Sequence, residues 1–300
     1  MEPVRLNKYL SDMGVCSRRE ADRLIEEGRI RVNGQRPEMG QKVTDSDKIT
    51  VNGKPIGEKA PEKVIIAVNK PVGVVCTTKT FPGEENIVSL VNYGSRLYPV
   101  GRLDKDSQGL IFLTNDGGFA AEVTKASGRH EKEYEVTVNK EITDNFLKRM
   151  AKGMYLEDLD KNTNACTVMK GGTRKFRIIL TQGMNRQIRR MCETCGYEVQ
   201  TLKRVRIMNV ELGDLEEGAW REVTGEELQT LLRSVKVKPT AEQTAKTQER
   251  STAKASAEKA AKTAEKASVR SAAEKAQKTV SKYNKKPAAK NGSGSKYIPR

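Results

Sequence analysis

Two aspartates, Asp104 and Asp106, lie in a short polar segment between two apolar ones. Residues 97–100 (LYPV) precede them, and residues 110–114 (LIFLT) have the composition of a buried strand. A turn at a strand end is held by a rigid scaffold yet stays open to a cleft. Carboxylates in such a turn can act as a general acid, a general base or a nucleophile.

The residues alone leave several roles open for this pair. The two carboxylates could share acid and base work as in a hydrolase, although their spacing in sequence does not set their separation. They could also simply close the turn, which is a common role of aspartate. The chain has a single histidine, His130, and no phosphate-binding loop or dinucleotide fingerprint. Its chemistry would therefore have to be one that a lone carboxylate can support.

The pattern of apolar and polar residues over 64–235 predicts an α+β domain with a mainly antiparallel sheet, which would hold these aspartates. Many short apolar runs alternate with few helical patterns. The predicted strands are 64–68, 110–114, 133–138, 166–169, 176–180, 199–202 and 207–212, and the predicted helices are 143–151, 186–195 and 226–232.

The predicted helix 186–195 has an apolar stripe and a basic remainder. Asn185 is the predicted N-cap, and Gly196 the stop. The stripe includes Cys192 and Cys195, which indicates packing rather than a metal site. Residues 171–192 contain no acid but six basic residues, which favours a phosphate-binding surface over a merely solvated face. The arginines predicted off the stripe are Arg186, Arg189 and Arg190.

Residues 1–56 predict a small separate domain, joined to the next by a polar linker at 57–63. Ser17 and Glu20 have the spacing of a capping box at the start of a second helix. Basic residues recur along this segment, although their number nearly equals that of its acids, so that a solvated face is the alternative to an RNA site. The candidate RNA-binding residues are Arg5, Lys8, Arg18, Arg19, Arg23, Arg29 and Arg31.

The net charge of +16 is concentrated at the C-terminus. Residues 236–300 hold 17 Lys and Arg against 5 Glu, a net of +12, whereas the preceding 235 residues supply +4. Such a segment cannot bury enough apolar surface to fold, so it predicts a disordered tail that attracts RNA or only confers solubility. No run of about 20 apolar residues predicts a membrane helix. Five scattered cysteines and no export signal predict a cytoplasmic protein.

Three segments occur in the order of a known set of motifs: 101–104 (GRLD), 132–136 (KEYEV) and 185–191 (NRQIRRM). Together they resemble the catalytic motifs of the pseudouridine synthases that modify ribosomal RNA. Residues 4–34 resemble an S4 RNA-binding domain. Within the family, the chain is most similar to the large-subunit type F branch, which implies 23S ribosomal RNA as the partner. Nothing in the sequence demands more than a monomer, so a monomeric protein is expected.

The resemblance implies a reaction that needs no cofactor or metal. Uridine is flipped from its stack, its N1–C1′ bond breaks, and C5 bonds to the same sugar carbon. The resemblance further implies that Asp104 is the essential carboxylate, that Tyr134 packs against the uracil, and that Arg189 pairs with Asp104 and keeps it ionised. The other implied substrate-binding residues are Arg102, Leu202, Arg186, Arg190 and Lys70.

Two other classes of function compete with this one. A non-catalytic RNA-binding factor of ribosome assembly would use the first domain and the tail, with the second domain as a platform. A nucleic-acid compaction protein would need only the lysine-rich tail. The joint occurrence of Asp104, Tyr134 and Arg189 favours the enzyme over both.

Overall fold

A computed structural model describes residues 2–57 and 59–235 of the protein. The predicted tail, 236–300, lies outside these residues. Within them, none of the helices combines the length and the apolar character needed to cross a membrane.

The first domain has a small apolar core of its own, in which Leu6, Leu10, Leu24 and Ile30 are buried. Ser17 is confirmed as an N-cap, since its hydroxyl accepts from the Glu20 amide at 3.1 Å. The Glu20 carboxylate accepts from the guanidinium of Arg23 in the next turn. The elements are β1 (Val4–Arg5), α1 (Leu6–Asp12), α2 (Arg18–Glu26), β2 (Ile30–Val32), β3 (Lys42–Val43), β4 (Ile49–Val51) and β5 (Lys54–Pro55).

The second domain is built on a nine-stranded sheet, which confirms the predicted α+β class. Its strands are β6 (Ile65–Lys70), β7 (Tyr98–Val100), β8 (Gln108–Thr114), β9 (Lys132–Val138), β12 (Thr167–Lys170), β13 (Lys175–Leu180), β14 (Val199–Ile207), β15 (Val210–Glu211) and β16 (Trp220–Glu222). Two short strands, β10 (Tyr155–Leu156) and β11 (Lys161–Asn162), form a separate two-stranded sheet. The main strand order of the large sheet is β12-β13-β9-β14-β8-β6-β16, with β7 paired to β8 and β15 paired to β14. The β14–β8 pair is parallel, and the other pairs of this sheet are antiparallel.

Five helices accompany this sheet. They are α3 (Ile87–Val91), α4 (Gly117–Thr124), α5 (Asp144–Lys152), α6 (Gln187–Thr194) and α7 (Gly225–Ser234). The sequence analysis missed α3 and α4, which are only five and eight residues long. Their start signals are nevertheless present, because Asn86 and Asp116 each accept two backbone amide bonds as N-caps.

The central strand β8 is buried on both faces. Leu110 and Phe112 pack into one apolar cluster, whereas Ile111 and Leu113 pack into another on the opposite face. This double burial explains why residues 110–114 form a continuous apolar run rather than an alternating one. Such a strand gives the preceding turn, which carries Asp104, a rigid base.

Candidate functional site

A cleft of about 320 Å³ opens beside the turn between β7 and β8. Asp104 is the one acid among the residues that line it, all of which belong to the described part of the chain. Tyr134 from β9 and Leu202 from β14 contribute a ring and an aliphatic side chain. The cations that line the cleft are Arg102, Lys125, Lys132, Arg186 and Arg204.

The turn that carries Asp104 is held through three consecutive backbone carbonyls. Each carbonyl accepts a hydrogen bond from a different segment of the chain, so that the turn is fixed before any ligand arrives. The bonds are Gly73 N to Lys105 O at 2.8 Å, Arg189 Nη2 to Asp106 O at 2.9 Å, and Lys70 Nζ to Ser107 O at 2.7 Å.

Lys70 was expected to bind substrate, and the structure contradicts this. Its side chain is 0 % exposed and does not line the cleft, because β6 is buried on both faces. The ammonium donates to the carbonyls of Pro71 and Ser107, each at 2.7 Å. Burial lowers the pKa of Lys70 below its usual value. Lys70 therefore supports the turn from beneath.

Arg189 was expected on the polar face of its helix and in an ion pair with Asp104, and both expectations are wrong. The residue is only 7 % exposed, because this face of α6 packs against the sheet. Its Nη1 donates to the carbonyl of Val199 at 3.1 Å. Its Nη2 lies 3.2 Å from Oδ2 of Asp106 rather than against Asp104. Arg189 thus joins the turn to β14.

Arg186 is the cation that approaches Asp104. Its Nη1 lies 4.0 Å from Oδ2 of Asp104 and 3.1 Å from Oδ2 of Asp106. The prediction of Asn185 as the N-cap was wrong, because Arg186 takes that place with a left-handed backbone, φ 51°. Few non-glycine residues adopt this conformation, which often occurs at functional sites. It places the guanidinium at the cleft.

Tyr134 and Leu202 are brought together by the pairing of β9 with β14. In this register Tyr134 is opposite Arg204, and Leu202 is opposite Val136. The buried Arg204 donates from Nε to the carbonyl of Leu110 at 2.6 Å, and its guanidinium carbon lies 5.9 Å from the Tyr134 ring centroid. The ring is thereby held between a cationic side chain and the open cleft.

The remaining two predicted substrate contacts differ from each other. Arg102 lines the cleft and is exposed. Arg190 does not line the cleft: its guanidinium pairs with Asp158 and donates to the carbonyl of Asn185. The expectation for Arg190 is therefore wrong, because its guanidinium is held by Asp158 and Asn185 and does not line the cleft.

Two cleft residues, Lys132 and Arg204, were not singled out from the sequence. The signal for Lys132 was available, because it lies two residues before Tyr134 and side chains two apart on a strand share a face. Arg204 bears the same relation to Leu202 on β14. Burial, with the charge of Arg204, lowers the pKa of Lys132 to about 8.

The seven candidate RNA-binding residues of the first domain fall into two groups. Three are in ion pairs with carboxylates of that domain: Lys8 with Asp12, Arg23 with Glu20, and Arg29 with Glu27. The other four, Arg5, Arg18, Arg19 and Arg31, are exposed and make no ion pair within residues 2–57 and 59–235. These four are the ones most accessible to an anionic ligand.

Comparisons with known proteins agree with this architecture. A family model described as RNA pseudouridylate synthase matches residues 64–194, and one described as S4 domain matches residues 4–49. The chain is 51% identical over 251 residues to the dual-specificity RNA pseudouridine synthase RluF of Escherichia coli K12, covering 81% of this chain and 85% of that protein.

More distant relatives cover a similar share of the chain. Ribosomal large subunit pseudouridine synthase B of Bacillus subtilis is 36% identical, over 76% of this chain and 95% of its own length. A crystal structure of a pseudouridylate synthase superposes with a TM-score of 0.57 and 27% identity, over 76% of this chain and 99% of that one. The chain, with an S4 domain ahead of its catalytic domain, therefore belongs to the RNA pseudouridine synthase family, the isomerases that convert uridine in RNA to pseudouridine.

Proposed function

We propose that the protein isomerises one or more uridines of 23S ribosomal RNA, with Asp104 as the catalytic carboxylate. The observation that carries this proposal is that Asp104 is the one acid of a cleft lined by five cations. Such a cleft suits an anionic nucleotide and leaves one group for the chemistry. The name of one relative, ribosomal large subunit pseudouridine synthase B, supports RNA of the large subunit as the substrate.

The reaction needs only one carboxylate. The N1–C1′ bond breaks, the uracil turns, and C5 bonds to C1′ while the C5 proton leaves and N1 gains one, so no oxidant or water is consumed. Asp104 acts either as a nucleophile at the sugar or as a base and charge stabiliser for a glycal-like intermediate. Arg186 Nη1 lies 4.0 Å from Oδ2 of Asp104 and is the cation placed to face charge that develops there.

The walls of the cleft fit a flipped base. We propose that Tyr134 packs against the uracil ring, that Leu202 closes the pocket, and that Arg102 fills the space left in the RNA stack. All three line the cleft. Flipping costs a few kcal/mol, which stacking on the ring and contacts to the RNA backbone offset. In this proposal Arg189 is a positioning residue, because it holds the turn rather than the substrate.

The first domain supplies further RNA contacts in this proposal. We place it at residues 1–56, followed by a linker at 57–63 and the catalytic domain at 64–235. Arg5, Arg18, Arg19 and Arg31 are the best candidates, because they are exposed and free of ion pairs within the described residues. We further propose a monomer acting in the cytoplasm, where ribosomal RNA and the five unpaired cysteines are both expected.

Carbodiimide mapping of pseudouridine on unmodified 23S ribosomal RNA tests the proposal. The wild type and Asp104→Asn are compared on the same transcript, with thermal melting and RNA affinity measured for both. We expect a new signal at a defined uridine that only the wild type produces. Signal from both proteins would show that another residue is catalytic. Intact RNA binding with no signal, on naked RNA and on assembly intermediates, would favour a non-catalytic assembly factor.

Deletion of residues 236–300 separates the enzyme from a compaction protein. The segment holds a net charge of +12, whereas Asp104 and the other described residues that line the cleft all precede it. We expect the truncated protein to keep most of its turnover on a short RNA, with weaker and less salt-dependent RNA binding. Complete loss of turnover would contradict the assignment of catalysis to the second domain alone.

A further inference from the structure

We propose that Lys132 determines the specificity of the site for uracil: its ammonium donates a hydrogen bond to O4 of the base bound in the cleft. This inference rests on the proposed function, because it takes the bound base to be the uracil that is isomerised. Three features of Lys132 carry it: its place on β9, its lack of a carboxylate partner, and its depth in the cleft.

Lys132 and Tyr134 are two residues apart on β9, and both line the cleft. Side chains two apart on a strand share a face and are separated by about 7 Å. The four-carbon stem of a lysine spans much of that distance. A ring packed on Tyr134 therefore has its edge within reach of the Lys132 ammonium.

The Lys132 ammonium has hydrogen-bonding capacity left over. It donates to the carbonyl of His130 at 3.0 Å, which uses one of its three N–H groups. Within the described part of the chain no carboxylate lies in ion-pair distance of it. The two neighbouring glutamates, Glu131 and Glu133, are both paired with Arg206 instead. The charge that faces Lys132 is that of Arg204, of the same sign. A hydrogen-bond acceptor on the ligand would bind the free N–H groups of Lys132 and stabilise its charge.

The depth of Lys132 indicates a base rather than a phosphate as that acceptor. Arg102, Lys125 and Arg186 are the exposed cations of the cleft, at its rim, where phosphates can reach them. Lys132 is half-buried, so a base that enters the cleft reaches it more readily than a phosphate at the surface does. Asp104 must face the sugar and lies beyond ion-pair distance of Lys132. The acceptor is thus one far from the sugar, and O4 lies across the ring from N1.

A donor at this position would select uracil over cytosine. Uracil presents a carbonyl oxygen at position 4, whereas cytosine presents an amino group that donates hydrogen bonds. An ammonium has no acceptor, so cytosine would leave its own donor and that of Lys132 unpaired in a half-buried site. Sites that pair a polar group of the substrate in this way reject analogues strongly.

Sulfur substitution in the substrate tests the contact. Short RNAs spanning the mapped uridine carry oxygen or sulfur at position 4, or sulfur at position 2, of that uridine alone. Sulfur is the weaker acceptor. We expect sulfur at position 4 to lower kcat/KM of the wild type about 10-fold or more, and Lys132→Met to lower it by about 10- to 100-fold on the oxygen substrate.

The diagnostic result is the combination of the two changes. Sulfur at position 4 should not change kcat/KM of Lys132→Met. Sulfur at position 2 should change kcat/KM of the wild type and of Lys132→Met by the same factor. Lys203→Met is the matched control: Lys203 is half-buried on β14 but does not line the cleft, so it should respond to sulfur as the wild type does. Thermal melting of each variant accompanies the kinetics.

Two outcomes would overturn the inference. In one, Lys132→Met loses as much rate to sulfur at position 4 as the wild type does, so that the contact lies elsewhere. In the other, Lys132→Met retains the kcat/KM of the wild type on the oxygen substrate. Failure of the wild type to convert the oxygen substrate at all would instead contradict the proposed function, which keeps the two failures distinguishable.

Discussion

Arg189 donates from Nη2 to the backbone carbonyl of Asp106 at 2.9 Å and lies 3.2 Å from the carboxylate of the same residue. Its other terminal nitrogen, Nη1, donates to the carbonyl of Val199 on β14. One buried guanidinium thus ties the turn that carries Asp104 to a strand that lines the cleft. The position of Asp104 depends on this link, although Arg189 itself does not line the cleft.

Replacing Arg189 with lysine should loosen the turn. A lysine has one ammonium and cannot donate to Asp106 and Val199 with the planar geometry of a guanidinium. We expect a loss of about 1 to 3 kcal/mol in the free energy of unfolding, because a buried carbonyl is left unpaired. We also expect kcat to fall more than KM rises. Urea denaturation and single-turnover kinetics measure the two effects.

Arg190→Lys is the control for that variant. Arg190 is the neighbouring arginine, and its ion pair with Asp158 lies near the surface, where such pairs are worth about 0 to 1 kcal/mol. If Arg189→Lys and Arg190→Lys had equal effects on kcat, the positioning role of Arg189 would be contradicted.

Lys70→Met should destabilise the protein and slow it. The fully buried ammonium donates to the carbonyls of Pro71 and Ser107, and the variant leaves both without that donor. The expected loss in the free energy of unfolding is about 2 kcal/mol or more. Lys105→Met, at an exposed ion pair with Glu84, should change it by less than about 1 kcal/mol. Thermal melts showing no difference between the two would count against the support role of Lys70.

Gly109→Ala probes the close approach of β8 to β14. Gly109 has φ 103°, and a Cβ atom built there would lie 2.3 Å from the carbonyl oxygen of Arg204. Backbone atoms cannot yield as a flexible side chain would, so the two strands must separate. We expect a loss of at least about 2 kcal/mol in unfolding free energy, together with reduced activity. Gly94→Ala, also at positive φ but with open space around it, should cost less.

The pH dependence of kcat/KM should reveal Lys132. Its pKa is lowered to about 8, so Lys132 is protonated below that pH and loses its proton as the pH rises through it. The wild-type rate should therefore decline above about pH 8, and Lys132→Met should lack this decline. His130, whose pKa is also lowered, is already neutral there. The other charged or titratable groups facing the cleft are Arg102, Asp104, Lys125, Tyr134, Arg186 and Arg204. An unchanged profile in the variant would assign the decline to one of them.

The pH dependence of the unfolding free energy, measured without RNA, should also reveal the titration of Lys132. The pKa of Lys132 is about 8 in the folded protein and near 10.5 in an unfolded chain. The charged form therefore destabilises the fold fully below pH 8, and the penalty disappears as the pH rises toward 10.5. Lys132→Met should be more stable than the wild type at pH 7, on the order of 1 kcal/mol after solvent screening. Denaturant midpoints at pH 7 and pH 10 should show this advantage shrinking.

Local structure could be predicted from the sequence. The turn between two apolar segments predicted where Asp104 lies, and the helix start at Ser17 follows from a side chain three residues from the amide it caps. Both properties depend on neighbouring residues, whose preferences act over a few positions. That Tyr134 and the segment around Arg186 belong to one site was implied only by the resemblance to the family motifs.

Contacts between distant charged groups depend on the tertiary structure. Arg186 and Asp106 are 80 residues apart, and Arg204 and Leu110 are 94 apart. Their contacts follow from the register of β9, β14 and β8, which no local preference specifies. The packing of the sheet also buries Arg189 and Lys70, which makes them supports of the turn rather than substrate contacts. Burial and long-range pairing are properties of the packed sheet, and for that reason the partners of these charges could not be predicted from sequence spacing.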